Sequence, residues 1–451
     1  MSSPQFPRDF LFGTATSAYQ IEGSWNVDGR GPSIWDTYTH ASPRRDTGDV
    51  ACNTYQDFQT DIDLMSVLGL NTYRFSVAWP RVLPEGRGQV NAKGMDYYDR
   101  LVDALLAKNI RPFVTLFHWD MPQALQDAFG GFAGRETASY FADYAEVVAR
   151  RLGDRVKDWI TLNEPWEHAA LGHLLGEHAP GHHNPWTYLK VAHHQLLGHG
   201  LAVERIRAAC SDARVGITLS LTPILPKTTS PQDGTAAKVA DQFFNTFYLD
   251  SIYKGQYPDP FWSQVRWLHP KIGADDMQVI SRPLDFLGVN FYSREFARAV
   301  WWMPFLRFWV DGDLSASGEK VVNGMPFTAS GREVYPQGLY DLLMYLKREY
   351  NNPFMYLTEN GAAFTDRLDG ERVHDEKRVA YLQGYMAAAA RAIRDGANLH
   401  GYFIWSLTDN FEWSLGYGTR FGIVYVDYAT QRRYIKDSGL WVKEMIQNQK
   451  S

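Results

Sequence analysis

The chain has 451 residues, of which 45% are hydrophobic and 21% charged, an ordinary balance for a globular enzyme with a large core. A net charge of -6 without a basic tract argues against a nucleic-acid partner, and no apolar stretch is long enough for a membrane span. The amino terminus lacks a signal-peptide pattern, and Cys52 and Cys210 lack metal-ligand spacing, so we expect a cytoplasmic protein with reduced thiols.

Short β-rich runs alternate with amphipathic helical stretches along the whole chain, which is the pattern of parallel strands joined by crossover helices. We predict eight strands, near residues 10–13, 71–75, 112–117, 156–162, 214–219, 285–291, 354–358 and 400–405. The clearest helices are predicted at 95–109, 138–153, 188–209 and 376–396. Eight such units without a linker predict one catalytic domain over residues 1–451, a (β/α)8 barrel with extended βα loops. A doubly wound sheet is the alternative, but no glycine fingerprint follows any strand.

Barrel enzymes build their sites from the carboxyl ends of the strands, so the side chains found there indicate the chemistry. Those side chains are Gln20, Glu22, Arg74, His118, Trp119, Asn163, Glu164, Asn290, Tyr292, Glu359 and Trp405. Carboxylates, amides and indoles without thiols or phosphate-binding loops predict a site for a neutral polyhydroxylated ligand. The aromatic fraction of 14% suits stacking on sugar rings, although a heavily aromatic core explains it equally well.

Glu164 in TLNEPW and Glu359 in LTENG each close an apolar strand, where a carboxylate is costly unless it is paired or functional. Glycoside hydrolysis requires one protonated carboxyl and one carboxylate, so these two form the candidate catalytic pair. The alternative is that each caps the helix after its strand. Arg74, within YRFSV, requires an acidic partner if it points inward, and we expect that partner to be Glu359.

Two histidine-rich segments, HHNP at 182–185 and VAHHQ at 191–195, resemble metal-binding sequences at first sight. No HExxH motif occurs, and the adjacent residues His193 and His194 cannot share one helical face. We therefore expect core or solvated histidines and no metal site.

The segment 299–310, AVWWMPFLRFWV, is the most apolar stretch outside the predicted core and follows the sixth strand. A loop of this kind should not remain fully solvated. It either lines the mouth of the site and stacks the leaving group, or forms a subunit contact in a homo-oligomer, or packs into the core beneath the loop.

The segment FLFGTATSAYQIEGS at 10–24 resembles the amino-terminal signature of the family 1 glycoside hydrolases, the β-glucosidases and their relatives. TLNEPW and LTENG resemble the two catalytic motifs of that family. The likeness continues in order through YRFSVAWPR, LFHWDMPQAL, FLGVNFYSR and IWSLTDNFEWSLGYGTRFGIVYVD, and so covers almost the whole chain.

This resemblance implies a cofactor-free, retaining β-glycosidase with Glu164 as general acid/base and Glu359 as nucleophile. It further implies that Arg74 and Tyr292 orient Glu359 and keep it ionised. By the same resemblance, Asn163 would bind the 2-hydroxyl and Trp405 would lie beneath the sugar ring. The remaining hydroxyls would be bound by Gln20, His118, Glu412 and Trp413.

The expected reaction is hydrolysis of terminal β-linked glucose from β-glucosides or cello-oligosaccharides, with activity on galactosides or fucosides as well. A phospho-β-glycosidase is the first alternative, and Glu412 argues against it because a second anion would repel a 6-phosphate. A sugar-binding barrel without catalysis is the second alternative, and the presence of both carboxylates argues against it.

The sequence departs from the family pattern at three places. Residues 53–57 read NTYQD where relatives often read D-H-Y-x-R, so support of Arg74 is expected to be built differently. Arg332 replaces a common tryptophan, and Ser220 replaces an asparagine that often lines the leaving-group side. The leaving-group preference is therefore open.

Overall fold

The computed structural model of this protein describes residues 4–303, 306–310, 320–322 and 325–450. Eight parallel strands, here called β1 to β8, form a closed barrel in chain order, with β8 pairing back onto β1. Their bounds are Leu11–Ala15, Thr72–Ser76, Arg111–Phe117, Asp158–Asn163, Arg214–Ser220, Phe286–Asn290, Met355–Asn360 and Leu399–Trp405. The predicted (β/α)8 barrel is confirmed, and every predicted strand lies within a few residues of its observed position.

The four predicted helices are found at Ala92–Ala107, Glu136–Leu152, Pro185–Ala209 and Glu376–Arg394. They form where apolar residues recur at helical spacing, because one face can then be buried against the barrel. The second of these helices, for example, buries Phe141, Ala145, Val148 and Leu152. Further α-helices are Ala18–Ile21, Ile34–His40, Gln59–Leu68, Trp79–Val82, Gln123–Phe129, Pro165–His173, Pro231–Asp241, Phe247–Lys254, Phe261–Gln264, Asp276–Ile280, Pro336–Glu349 and Asp437–Lys450.

The barrel interior is filled with side chains rather than open. Phe113, Phe286, Tyr356 and Phe403 pack together with Ile160 inside the ring of strands. The ring centres of Phe113 and Tyr356 are 5.0 Å apart and the rings meet edge to face at 82°, a favourable aromatic arrangement. This plug closes the barrel below the strand ends, so a ligand can enter only from the side where the βα loops gather.

Long loops after the strands build the walls of that open side. The loops after β5 and β6 contribute a small sheet of Ile224–Pro226, Glu295–Ala299 and Phe308–Val310. Two short hairpins complete the strands described, Lys320–Val322 with Met325–Phe327 and Val424–Asp427 with Arg432–Ile435. Among the described residues, no helix combines the length and the apolar character that crossing a membrane requires.

The apolar segment 299–310 divides between core and surface. Phe308 is buried, whereas Trp301, Trp302 and Trp309 are 92%, 51% and 41% exposed. The rings of Trp302 and Trp309 lie 5.5 Å apart. The prediction of core packing is therefore wrong for the three tryptophans and correct for Phe308. Pro304 and Phe305 lie outside the described residues.

Candidate active site

The carboxyl ends of the barrel strands and the loops that follow them bring the predicted site residues together. Glu359 is the second-last residue of β7 and is only 3% exposed. The pairing of β6 with β7 shifts register between Leu357 and Glu359, and such an irregularity re-aims the side chain that follows it. The side chain meets Arg74 from β2 and Tyr292 from the segment after β6.

Two donors hold the Glu359 carboxylate. The Arg74 guanidinium donates from Nη1 to Oε1 at 2.5 Å, and the Tyr292 hydroxyl donates to Oε2 at 2.7 Å. Arg74 is fully buried, so the carboxylate supplies the partner that an interior cation requires. Glu359 is thus the partner expected for Arg74, and its carboxylate accepts two hydrogen bonds at the centre of the site.

The network continues from Arg74 to Asn163, the last residue of β4. The Asn163 Oδ1 atom accepts from Arg74 Nη2 at 2.6 Å and from Asn290 Nδ2 at 3.1 Å. These two donors fix the orientation of the Asn163 amide, whose Nδ2 then donates to His118 Nε2 at 3.0 Å. Burial, together with the Arg74 charge, holds the pKa of His118 well below its usual range. His118 is therefore neutral, with its proton on Nδ1.

Glu164 occupies a turn between β4 and the helix Pro165–His173, with a left-handed backbone φ of 46°. Its side chain makes no capping bond to that helix and instead accepts from Asn290 Nδ2 at 2.8 Å. Glu359 belongs to a strand and precedes no helix directly. The helix-capping alternative is thus wrong for both glutamates.

The protonation of Glu164 follows from its surroundings. Burial raises the pKa of this carboxyl well above its ordinary value, and the nearby charges of Glu167 and Glu359 raise it further. The Asn290 amide and the Arg332 guanidinium oppose that rise. These surroundings favour the protonated form of Glu164, whereas the Glu359 carboxylate is held by Arg74.

Aromatic rings form one wall of the site. The rings of His118 and Trp405 are nearly parallel, 5.8 Å apart and inclined by 24°. Trp413 extends this wall, with its ring 5.9 Å from that of His118 and 4.6 Å from that of Trp119. The Trp119 indole donates to the backbone oxygen of Asn163 at 3.0 Å, which ties the wall to β4.

Opposite the carboxyl pair lies a polar corner formed by Gln20 and Glu412. Gln20 Nε2 donates to the Phe411 carbonyl at 2.8 Å and to Glu412 Oε2 at 3.3 Å. Burial raises the pKa of Glu412 to about 8, and the Arg332 charge opposes that rise. Burial thus favours the protonated form of Glu412 near neutral pH, and charge repulsion of a phosphate should strengthen as the pH rises through about 8.

Not every candidate reaches the site. Glu22 turns away from it, because its carboxylate binds Arg81 Nε at 2.8 Å and the Tyr98 hydroxyl at 2.6 Å. Arg74 Nε donates to the Thr115 hydroxyl at 3.1 Å, which adds a partner from β3 to those that hold this guanidinium.

The histidines singled out in the sequence make ordinary contacts. His193 bonds the Tyr257 hydroxyl at 2.6 Å and Asp276 at 3.0 Å, and His194 bonds the Phe132 carbonyl at 2.8 Å. Within the described ranges, no cluster of histidines, thiols and carboxylates has a composition that could hold a metal ion.

Two further charged residues belong to the site: Glu167, which the sequence analysis did not consider, and Arg332, which it named only as a departure from the family pattern. Glu167 lies one helical turn after Glu164, and its carboxyl faces Ser220 at the end of β5. The Arg332 guanidinium lies 4.4 Å from the centre of the Tyr292 ring. The three-residue spacing of Glu164 and Glu167 on a helix is the signal that predicts their proximity. The contact of Arg332 depends on the path of a loop and has no such signal.

Comparison with known proteins agrees with this geometry. The family described as glycosyl hydrolase family 1 matches residues 2–451. The chain is 45% identical to Beta-glucosidase A of Thermotoga maritima over 99% of both chains, and 44% identical to Beta-glucosidase A of Acetivibrio thermocellus over the same shares. A solved family 1 β-glucosidase from Thermotoga maritima superposes with a TM-score of 0.94 at 44% identity, covering 100% of this chain and 99% of that one. The resemblance found in the motifs is confirmed, and the chain belongs to glycosyl hydrolase family 1.

Proposed function

We propose that this enzyme is a retaining β-glucosidase that removes terminal, non-reducing β-D-glucosyl residues. The observation that carries the proposal is the contrast between two buried carboxyls. Glu164 sits where burial and like charges favour its proton, whereas Glu359 is held by Arg74 and Tyr292. Retaining hydrolysis needs such an unequal pair, one acid and one nucleophile, with carboxyls roughly 5 to 5.5 Å apart.

In the first step, Glu359 attacks the anomeric carbon while Glu164 gives its proton to the departing oxygen. The bond between sugar and leaving group breaks, and a glycosyl ester forms on Glu359. The Arg74 and Tyr292 donors aim the nucleophile. The proton keeps the leaving group from departing as an anion, an effect typically worth about 10²- to 10⁴-fold.

In the second step, Glu164, now ionised, removes a proton from a water molecule that attacks the same carbon. The ester bond to Glu359 breaks, and glucose leaves with its original β configuration. An alcohol that replaces this water yields a transglycosylation product. Glu164 regains its proton in this step, so the enzyme returns to its starting state.

The sugar is bound by the wall and the polar corner. Neutral His118 presents its Nδ1–H, which has no bonding partner among the described residues, to a sugar hydroxyl. Asn163 binds the 2-hydroxyl, and Gln20 with Glu412 binds the far end of the ring. Trp405 and Trp413 supply the faces on which the ring stacks, a contact that suits the apolar side of glucose.

The substrates that fit this site are β-glucosides and cello-oligosaccharides without a phosphate, with β-galactosides and β-fucosides as weaker alternatives. Solved relatives support the sugar class, since the Thermotoga maritima enzyme has been solved with glucoimidazole at a TM-score of 0.93 to this chain. We place the enzyme in the cytoplasm as a single catalytic domain, where it would act late in the breakdown of cellulose.

Two variants test the roles of the carboxyls. Glu359→Ala should be inactive on every glucoside. Glu164→Ala should lose activity on cellobiose but keep formation of the glycosyl enzyme from dinitrophenyl glucoside, because that leaving group needs little protonation. The exposed Glu204, on the helix Pro185–Ala209, provides the control Glu204→Ala, which should behave as wild type.

Proton NMR of the first sugar released tests the stereochemistry. The β anomer should appear first and the α anomer only later, by mutarotation. An α anomer appearing first would exclude retention. Equal losses of Glu164→Ala on cellobiose and on dinitrophenyl glucoside would remove Glu164 from the role of acid.

A further inference from the structure

A third carboxyl, that of Glu167, stands beside the catalytic pair without a place in the mechanism above. Glu164 is the residue before the helix Pro165–His173, and Glu167 is the third residue of that helix. The backbone N–H of Glu167 donates to the Glu164 carbonyl at 3.1 Å, so both belong to the same helical turn. Side chains three positions apart on a helix are neighbours.

The Glu167 carboxyl has a hydrogen-bonding partner on one side and none among the described residues on the other. It faces the Ser220 side chain at the end of β5. Its Oε2 atom is buried and accepts no hydrogen bond from the described residues. A buried carboxylate oxygen without a donor is costly in its charged form and tolerable in its protonated form. The site therefore contains a second carboxyl for which a proton is favourable.

The charges around the two carboxyls decide which of them keeps a proton. Burial raises the pKa of Glu167 to about 7, against the opposing effect of Ser220. Burial raises the pKa of Glu164 well above its ordinary value, with the Glu167 charge as the next contributor, ahead of that of Glu359. The Ser220 side chain thus favours the ionised form of Glu167, and the Glu167 charge in turn favours the protonated form of Glu164.

The neighbouring elements contribute three further titratable or charged groups besides Glu359 on β7. The charge of Arg332, in the segment after β6, opposes the rise in pKa of both Glu164 and Glu167. Burial raises the pKa of Tyr248, on the helix Phe247–Lys254, and that of Tyr292 well above the working range, so both phenols stay neutral.

We propose that Glu167 is a positioning residue that shares one proton with Glu164 and keeps this proton on Glu164 at neutral pH. It acts on the reaction through the protonation of Glu164. After Glu164 has given its proton to the leaving oxygen, the like charge of Glu167 favours the transfer of a proton from the attacking water to Glu164. The inference rests on the proposed role of Glu164 as acid/base.

The test uses Glu167→Gln, which removes the charge and keeps the shape and the hydrogen-bonding groups. The measurement is kcat/KM for cellobiose from about pH 5 to about pH 9, where the basic limb reports loss of the proton from Glu164. Without the neighbouring anion, Glu164 gives up its proton at lower pH. The basic limb should therefore move to lower pH, and the ratio of activity at about pH 8 to that at about pH 6 should fall severalfold.

Three controls separate this effect from damage. Dinitrophenyl glucoside needs no acid in the first step, so its kcat/KM should keep the wild-type profile in Glu167→Gln and report an intact site. Glu204→Gln removes one exposed charge and should shift nothing. Ser220→Ala removes a group that stabilises ionised Glu167, so Glu167 keeps its own proton to higher pH and its charge acts less on Glu164. The basic limb of this variant should therefore move to lower pH, in the same direction as in Glu167→Gln.

The outcomes are distinguishable. A wild-type basic limb in Glu167→Gln, with Glu164→Ala behaving as an acid-deficient enzyme, overturns this inference and leaves the proposed function standing. If Glu164→Ala shows no preference for activated leaving groups, the proposed role of Glu164 fails and the role of Glu167 fails with it. If Glu167→Gln does not fold, Ser220→Ala decides, because a basic limb that is unchanged or displaced to higher pH in that variant overturns the inference.

Discussion

Gly361, directly after the LTEN segment of β7, lies where the barrel leaves no room for a side chain. A Cβ built on Gly361 would lie 1.7 Å from the carbonyl oxygen of Trp405 and 2.8 Å from its carbonyl carbon. Ordinary contacts between such atoms are about 3.5 Å, and the atoms approached are backbone, so the ends of β7 and β8 would have to separate by more than about 1 Å. Overpacking typically costs about 1 to 3 kcal/mol, and we place Gly361→Ala at about 3 kcal/mol or more.

Gly234 provides a matched control for this substitution. It lies within the helix Pro231–Asp241, and a Cβ built there would have no atom within 4 Å. Gly234→Ala should therefore raise stability by up to about 1 kcal/mol, the usual gain of alanine over glycine in a helix.

Thermal unfolding and steady-state kinetics compare the two variants. Gly361→Ala should lower Tm by roughly 3 °C or more. It should also lower kcat/KM, because the displaced strand ends carry Glu359 and Trp405. Gly234→Ala should keep wild-type kinetics with an equal or higher Tm. Wild-type Tm and kcat/KM in Gly361→Ala would show that the two strand ends separate freely, and the steric argument would be refuted.

Three further substitutions test the site. Because the pKa of Glu412 is about 8, the ratio of KM for a 6-phosphoglucoside to KM for the glucoside should rise through that pH in the wild type. The ratio should stay constant in Glu412→Gln, and parallel pH profiles in the two proteins would contradict this prediction. Tyr292→Phe removes a hydrogen bond to the Glu359 carboxylate worth about 1.5 to 3 kcal/mol, so kcat/KM should fall roughly 10- to 100-fold while Tm changes little. Trp302→Ala and Trp309→Ala should lower kcat/KM for aryl glucosides more than for methyl glucoside, by roughly tenfold at most. Unchanged selectivity, together with dissociation of an oligomer in sedimentation, would indicate a subunit contact instead.

The fold and the family could both be predicted from local patterns in the amino-acid sequence. Alternation of β-rich runs and amphipathic helices is a local pattern, and eight repeats of it leave few architectures other than a closed barrel. The motifs around Glu164 and Glu359 are local as well, so the candidate catalytic pair could be identified from residue types and spacing alone. Even the pairing of Arg74 with Glu359 followed from the cost of an unpaired interior cation.

Tertiary structure alone decided which polar residues share the site and in which protonation state. Glu22 and Gln20 are two residues apart, yet Glu22 binds Arg81 while Gln20 reaches Glu412, 392 residues away. The pKa of Glu412, which rises to about 8, depends on burial by segments from distant parts of the chain. Desolvation and Coulomb interactions depend on distances in space, and these exist only once the barrel has closed.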